Sequence, residues 1–338
     1  MLCVIIRTQP RRGGRPAVSP PPPPLGRSRK KRTAHAFDAA LDDAELVVAR
    51  TALTQGRWTE ARALLAATGN DWDRRGHRFD VLAQEPTTEA WARDWRLAEP
   101  ESYDAEVLLA FAAVHKALRG KARSDKVRAR CREAAARQPA DPTPWLALLL
   151  LERSLGREED VVRLFDEVRH RHPEHHHAHH LMVARLAERR PDAGQDPMHE
   201  VYDFASWAVE QAPAASPLAV LPVVAHAERY RVLAVAGLES VDPAASGHWT
   251  GRRARGVMKA AFDWWLEWER PGAAPAHPRA CIDLNFLAHA KSCEGRAAEA
   301  AALFHRIGRH ATPAPWSYPD RDPYEAFGAA RAAALGST

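Results

Sequence analysis

The sequence predicts an all-α chain whose helix pairs stack into an α-solenoid behind a disordered leader. Three observations carry that prediction. From about Asp38 onward apolar residues recur at helical spacing, and the alternation of a half-buried strand is nearly absent. Prolines stand where helices should stop, at Pro100, Pro139, Pro173 and Pro213, and their separations are 39, 34 and 40 residues. A period of that size is the mark of a repeat array. Within the period, two apolar stripes flank a glycine-bearing turn. The 338 residues, 46% of them hydrophobic, suffice for a large core. They divide into a leader (1–37), a repeat region (38–215) and a divergent helical region (216–338).

The leader begins "MLCVIIRT", an apolar run too short, and with its charge on the wrong side, for a secretory signal. "SPPPPPLG" and "RSRKKR" follow and read as disordered, partly polyproline chain. Disorder, or a start codon assigned too far upstream, accounts for this stretch more simply than a polybasic anchor or a proline-motif ligand does. The pI of about 9.2 is set here. Nine of the 48 basic residues and no acidic ones lie in 1–36, which leaves 39 basic against 43 acidic residues in the body. A basic tail on an acidic body argues against nucleic acid as a partner, because phosphate binding needs cations on the fold itself. No run of eighteen apolar residues exists, so no membrane partner is expected. Cys3, Cys131, Cys281 and Cys293 form no C-x-x-C pair, which points to free thiols in a reducing, cytoplasmic setting. Only seven lysines stand among the 48 basic residues, the bias that GC-rich bacterial coding produces.

The elements follow in order. "LVVARTALTQGRWTEARALL" places Val48, Ala52, Gly56, Ala61 and Leu65 as the first helix pair. Phe111, Val114, Leu118, Val127, Cys131 and Ala134, closed by Pro139, make another. The clearest unit is 142–173, where Trp145, Leu148 and Glu152 step along one face of a first helix and Gly156 permits the turn. Val161 and Phe165, four apart, then pack back onto that face, and Pro173 stops the second helix. Residues 176–213 form a unit lengthened by the loop "RRPDAGQDP", and 216–275 follow no clear register. "RRARGVMKAAFDWWLEWER" reads as one long helix with Val257, Ala261, Trp264, Trp265 and Trp268 as its apolar stripe, stopped by Pro271 and Gly272. A last unit at 281–313 carries Leu284, Leu287, Ala288, Gly295, Ala300, Phe304 and Ile307. A proline-rich loop (311–327) and the capping helix "YEAFGAARAAAL" close the array.

The spacing of Trp145, Leu148, Gly156, Val161, Phe165, Val168 and Pro173 resembles the tetratricopeptide-repeat family, and the resemblance extends over about two-thirds of the chain. The match is degenerate: Leu149 and His115 stand where the family carries glycine, and Glu152 replaces its tyrosine. The resemblance implies a right-handed α-α superhelix with a concave groove that binds a peptide or partner helix. Its register places Lys116, Arg119, Arg153, His177, His180, Asn285 and His289 on that face. Their positive bias suggests an acidic segment as ligand. The family's two-carboxylate clamp is not reproduced, since two of its positions fall on Ala112 and Lys116.

"HRHPEHHHAHH" packs seven histidines into residues 170–180. One reading makes it a joint between repeats: His170 and His172 at a helix C-terminus, His179 packed between helices, His177 and His180 in the groove. The sharper reading is a metal site, because His175 with His179, or His176 with His180, stand four apart on a helix and can present two imidazoles to one ion. Glu174-x-x-His177 is half of a di-iron signature without its second half, and a pH-responsive groove is a third option. The sequence favours the joint, since motif matches without converging partners are mostly false positives. His199-Glu200 is a weaker metal-ligating pair. His289 and Cys293 could form a nucleophile pair near the groove, though no orienting third group is evident. No phosphate loop, nucleophile elbow or kinase signature occurs. The sequence therefore predicts a non-catalytic interaction scaffold with no cofactor, and a metal-dependent protein as its alternative.

Overall fold

The apolar periodicity folds as sixteen α-helices joined by short turns, with no strand among the described residues. The computed structural model describes residues 37–189, 199–268 and 277–336, all within one unit of the chain. All of the 1–37 leader but Phe37, most of the "RRPDAGQDP" insertion, Pro271 and Gly272 lie outside these residues.

Helices α1 (Ala44–Thr54) and α2 (Trp58–Thr68) pack together, followed by α3 (Trp72–Gln84) and α4 (Thr88–Ala98). Then come α5 (Tyr103–Leu118) with α6 (Ser124–Arg137), α7 (Thr143–Leu155) with α8 (Glu158–Arg171), and α9 (His176–Ala187) with α10 (Glu200–Gln211). The later part holds α11 (Leu221–Val235), α12 (Arg252–Trp268), the pair α13 (Ala280–Cys293) and α14 (Ala297–Ile307), the short α15 (Pro313–Trp316) and α16 (Pro323–Leu335).

Helix α8 shows why these segments are helical. Glu158, Glu159 and Asp160 occupy its first turn and Arg169, His170 and Arg171 its last, so both ends suit the helix dipole. Its buried stripe is Val161, Leu164, Phe165 and Val168, the apolar face of one amphipathic helix. Gly156 serves the preceding turn through close approach rather than a left-handed backbone. Its φ is −93°, and a Cβ there would lie 2.8 Å from the Glu152 Cβ and 2.9 Å from the Glu152 carbonyl oxygen.

The core departs from the sequence reading in three places. Val48 is exposed while Leu46, Ala49 and Leu53 face inward, a shift of the buried face around α1. In α12 the buried residues are Ala254, Met258 and Ala261, and Trp268 lies exposed at the helix end. Residues 311–327 are more than a loop. They contain α15, and Trp316 is buried against Phe304 and Phe327.

Helix α3 decides where the polar chemistry sits. It packs against α5, α7 and α9, the first helices of three successive pairs, and so covers the face that the repeat register assigns to a ligand. Ten of its thirteen residues are buried, among them Asp73, Arg75, His77, Arg78 and Asp80. Gly76 lets it approach closely, since a Cβ there would come 2.8 Å from the Leu146 side chain.

Candidate metal centre

A buried polar seam runs where α3, α9 and the N-terminal end of α13 meet. Asp73 and Asp80 come from α3, His176, His177 and His180 from α9, and Asp283 from α13. His175, Arg279 and His277 stand just outside the helix ends. The N-terminus of α9 is held from α3, with the His176 backbone N–H donating to Asp73 Oδ1 at 2.9 Å.

Asp283 bridges two histidines one helical turn apart. Its Oδ2 lies 2.7 Å from His176 Nε2 and its Oδ1 lies 3.2 Å from His180 Nε2. The two rings are 4.2 Å apart, and ligand atoms of all three side chains fall within 4.8 Å of one another. All three residues are buried. His176 Nδ1 and Asp283 Oδ1 have no hydrogen-bond partner of acceptable geometry. An unsatisfied buried polar atom costs about 1–3 kcal/mol, so the arrangement is incomplete as hydrogen bonding alone.

Burial lowers the His176 pKa to about 3, against the pull of Asp283. Burial alone would push Asp283 up, yet the adjacent His176 and His180 hold it well below the usual carboxylate range. The centre is thus an ionised carboxylate accepting from Nε2–H of a neutral His176 ring, whose lone pair lies on the unpartnered Nδ1; ligation through Nε2 would displace its proton.

Asp73 forms a second knot beside it. His172 Nε2 lies 3.0 Å, His277 Nε2 3.3 Å and His175 Nδ1 3.5 Å from its carboxylate oxygens. Burial pushes Asp73 up, but His175, His172 and His277 hold it well below the ordinary range. Burial disfavours a charged His172, yet its hydrogen bond to Asp73 raises its pKa. Burial lowers His77 and His175 to about 4 and holds His177 well below its ordinary value, with Arg279 adding to the effect. The His277 ring lies 4.6 Å from that of His176 and links the two knots.

Each residue singled out in the sequence has a definite place. Of the two metal pairs, His176 and His180 converge on a carboxylate, whereas His175 and His179 do not. His175 caps α9, its Nδ1 accepting from the Ala178 N–H at 3.5 Å, and the His179 ring stands edge-on to Phe165 at 5.0 Å. The groove set divides. Lys116 and Arg153 are partly exposed and pair with Glu89 and Glu188, and Arg119 is exposed. His177, His180, Asn285 and His289 are buried, with α3 packed on α9 and Trp316 against Asn285 and His289. Asn285 is structural, accepting from Trp316 Nε1 at 2.8 Å and donating to the Cys281 and His310 carbonyls.

His289 and Cys293 are adjacent, with Sγ 3.8 Å from both ring nitrogens. Burial pushes that thiol up to about 12 and the ring down to about 3, the opposite of an activated thiolate–imidazolium pair. His199 caps α10 and bonds the Arg189 carbonyl, away from the cluster. Glu174 with His177 gathers no second acid, and His176, His180 and Asp283 are the one metal-competent group among the described residues.

Asp283 is the residue that sequence reasoning missed. It lies 107 residues from His176, in "ACIDLNF", and its being the lone acid of that helix, at a core register, was the only signal. Among the described residues no helix is long and apolar enough to cross a membrane. No family model, curated protein or solved structure matches this chain.

Proposed function

We propose that the protein binds one divalent transition-metal ion through His176, His180 and Asp283. The observation that carries this reading is the convergence of two imidazole nitrogens and a carboxylate within 4.8 Å in a buried site. Charge supports it. Asp283 is buried and held well below the usual carboxylate range beside the neutral ring of His176. Burying a carboxylate charge is expensive, and a cation bound there offsets that cost. The mixed nitrogen and oxygen donors suit zinc or iron(II) better than calcium or magnesium. Cobalt(II) titration followed by visible absorption tests the reading. Saturation at one equivalent, with ligand-field bands that disappear in H180A and D283N, is expected. A spectrum unchanged by either substitution would place the ion elsewhere.

We further propose that the helix pairs follow a degenerate tetratricopeptide-like, right-handed superhelix. The buried Phe111, Cys131, Leu148, Val161, Phe165, Leu287 and Phe304 at corresponding positions support it. In this reading α3 occupies the inner face, so binding of an acidic peptide, the scaffold role, rests on the partly exposed rim of Lys116, Arg119 and Arg153.

A further inference from the structure

A second site lies at the C-terminal end of the chain, away from the histidine seam. Alanines of α14 and α16, with His289, Cys293 and Trp316, line an open cleft of about 330 Å³. Ala326, Ala330 and Ala333 recur along one face of α16, so the volume is left by side chains too small to fill it. That is the small end of ligand pockets, which span roughly 300–1,000 Å³.

The polar groups around this cleft are a buried imidazole at its floor and exposed charges at its rim. His289 is 1% exposed, held between Trp249 and Trp316 at 5.3 and 5.2 Å. Among the described residues its ring nitrogens meet only the Cys293 sulfur, at 3.8 Å. Arg321 and Asp242 also line the cleft. Both are exposed and stand at the rim of the same cleft. Neither forms an ion pair among the described residues. Asp242 spends one oxygen on the Ala244 N–H at 3.1 Å. The cleft therefore offers an apolar floor, a neutral thiol and imidazole, and one unpaired charge of each sign at its rim.

We propose that this cleft binds a free α-amino acid with an apolar side chain. The carboxylate meets the Arg321 guanidinium, the ammonium meets the Asp242 carboxylate, and the side chain lies on the α14 and α16 alanines. Opposite charges that leave each other unpaired beside an apolar floor match a zwitterion with a hydrocarbon tail. The site is independent of the metal centre and stands or falls without it.

The test is calorimetric titration of the full chain with leucine, 4-methylpentanoate and 3-methylbutylamine, which share the tail and carry both charges or only one. Leucine binding with both single-charge probes about tenfold weaker or more is expected. R321A and D242N should each weaken leucine comparably, D242N keeping the oxygen that caps Ala244. A333L should abolish binding while leaving the melting temperature unchanged, since Ala333 is exposed on a helix and leucine is a good helix former. Failure of leucine, phenylalanine and methionine to bind overturns the proposal. So does equal affinity for the single-charge probes, or an A333L protein that binds as the parent does.

Discussion

Phe165 and Asn285 both face inward, and they stabilise the molecule by different means. The Phe165 ring packs edge-on to His179 at 5.0 Å and Phe204 at 5.5 Å. F165A leaves a cavity between α8, α9 and α10, and a loss of about 3–5 kcal/mol is expected in urea unfolding. Asn285 satisfies Trp316 Nε1 and the His310 carbonyl, so N285A orphans more than one buried group. The expected loss is on the order of 2–4 kcal/mol. Arg119, exposed and outside any ion pair among the described residues, gives the contrast, because R119A should fall within about 0.5 kcal/mol of the parent. An R119A loss as large as that of N285A would contradict this division between surface and structural positions.

Among the elements, α3, α9 and α13 carry the seam and its response to acid. His77 and His175 are lowered to about 4 and His176 to about 3 by burial, whereas in the unfolded chain a histidine titrates near 6.5. Below about pH 6.5 the unfolded chain therefore binds more protons than the folded one. The stability that these three rings contribute is complete above that pH and falls as pH drops toward 4, by about 1.4 kcal/mol per pH unit for each ring. The urea midpoint should fall steadily between pH 7 and pH 5, and a flat midpoint would contradict the buried, neutral assignment. These elements also mark the limit of what was legible in the sequence. Helices α7 and α8 could be read from Trp145, Leu148, Val161 and Phe165, whose apolar period needs no distant partner. Helix α3 could not, because its buried Asp73, Arg75, His77 and Asp80 look like a solvated face until their partners are in place. Those partners include Asp141, His172 and His115, far along the chain. The pair His176 and His180 was legible by spacing, and Asp283 was not. A register that assumed an open inner face also placed His177, His180, Asn285 and His289 in a groove, whereas all four are buried.

At the scale of the whole molecule, the proposed ion would link α9 and α13 through residues 107 positions apart. Its ligands come together only in the folded chain, so on this proposal chelation should lower the melting temperature. At a free-ion concentration about a thousand times Kd the stabilisation would be about 4 kcal/mol. The most direct test of the central claim is the metal content of the untagged protein by elemental mass spectrometry, beside that of the H176A/H180A double variant. One zinc or iron per parent chain, and none in the variant, is the predicted result. A parent without metal that also binds none on titration, or a variant that keeps its ion, would contradict the account.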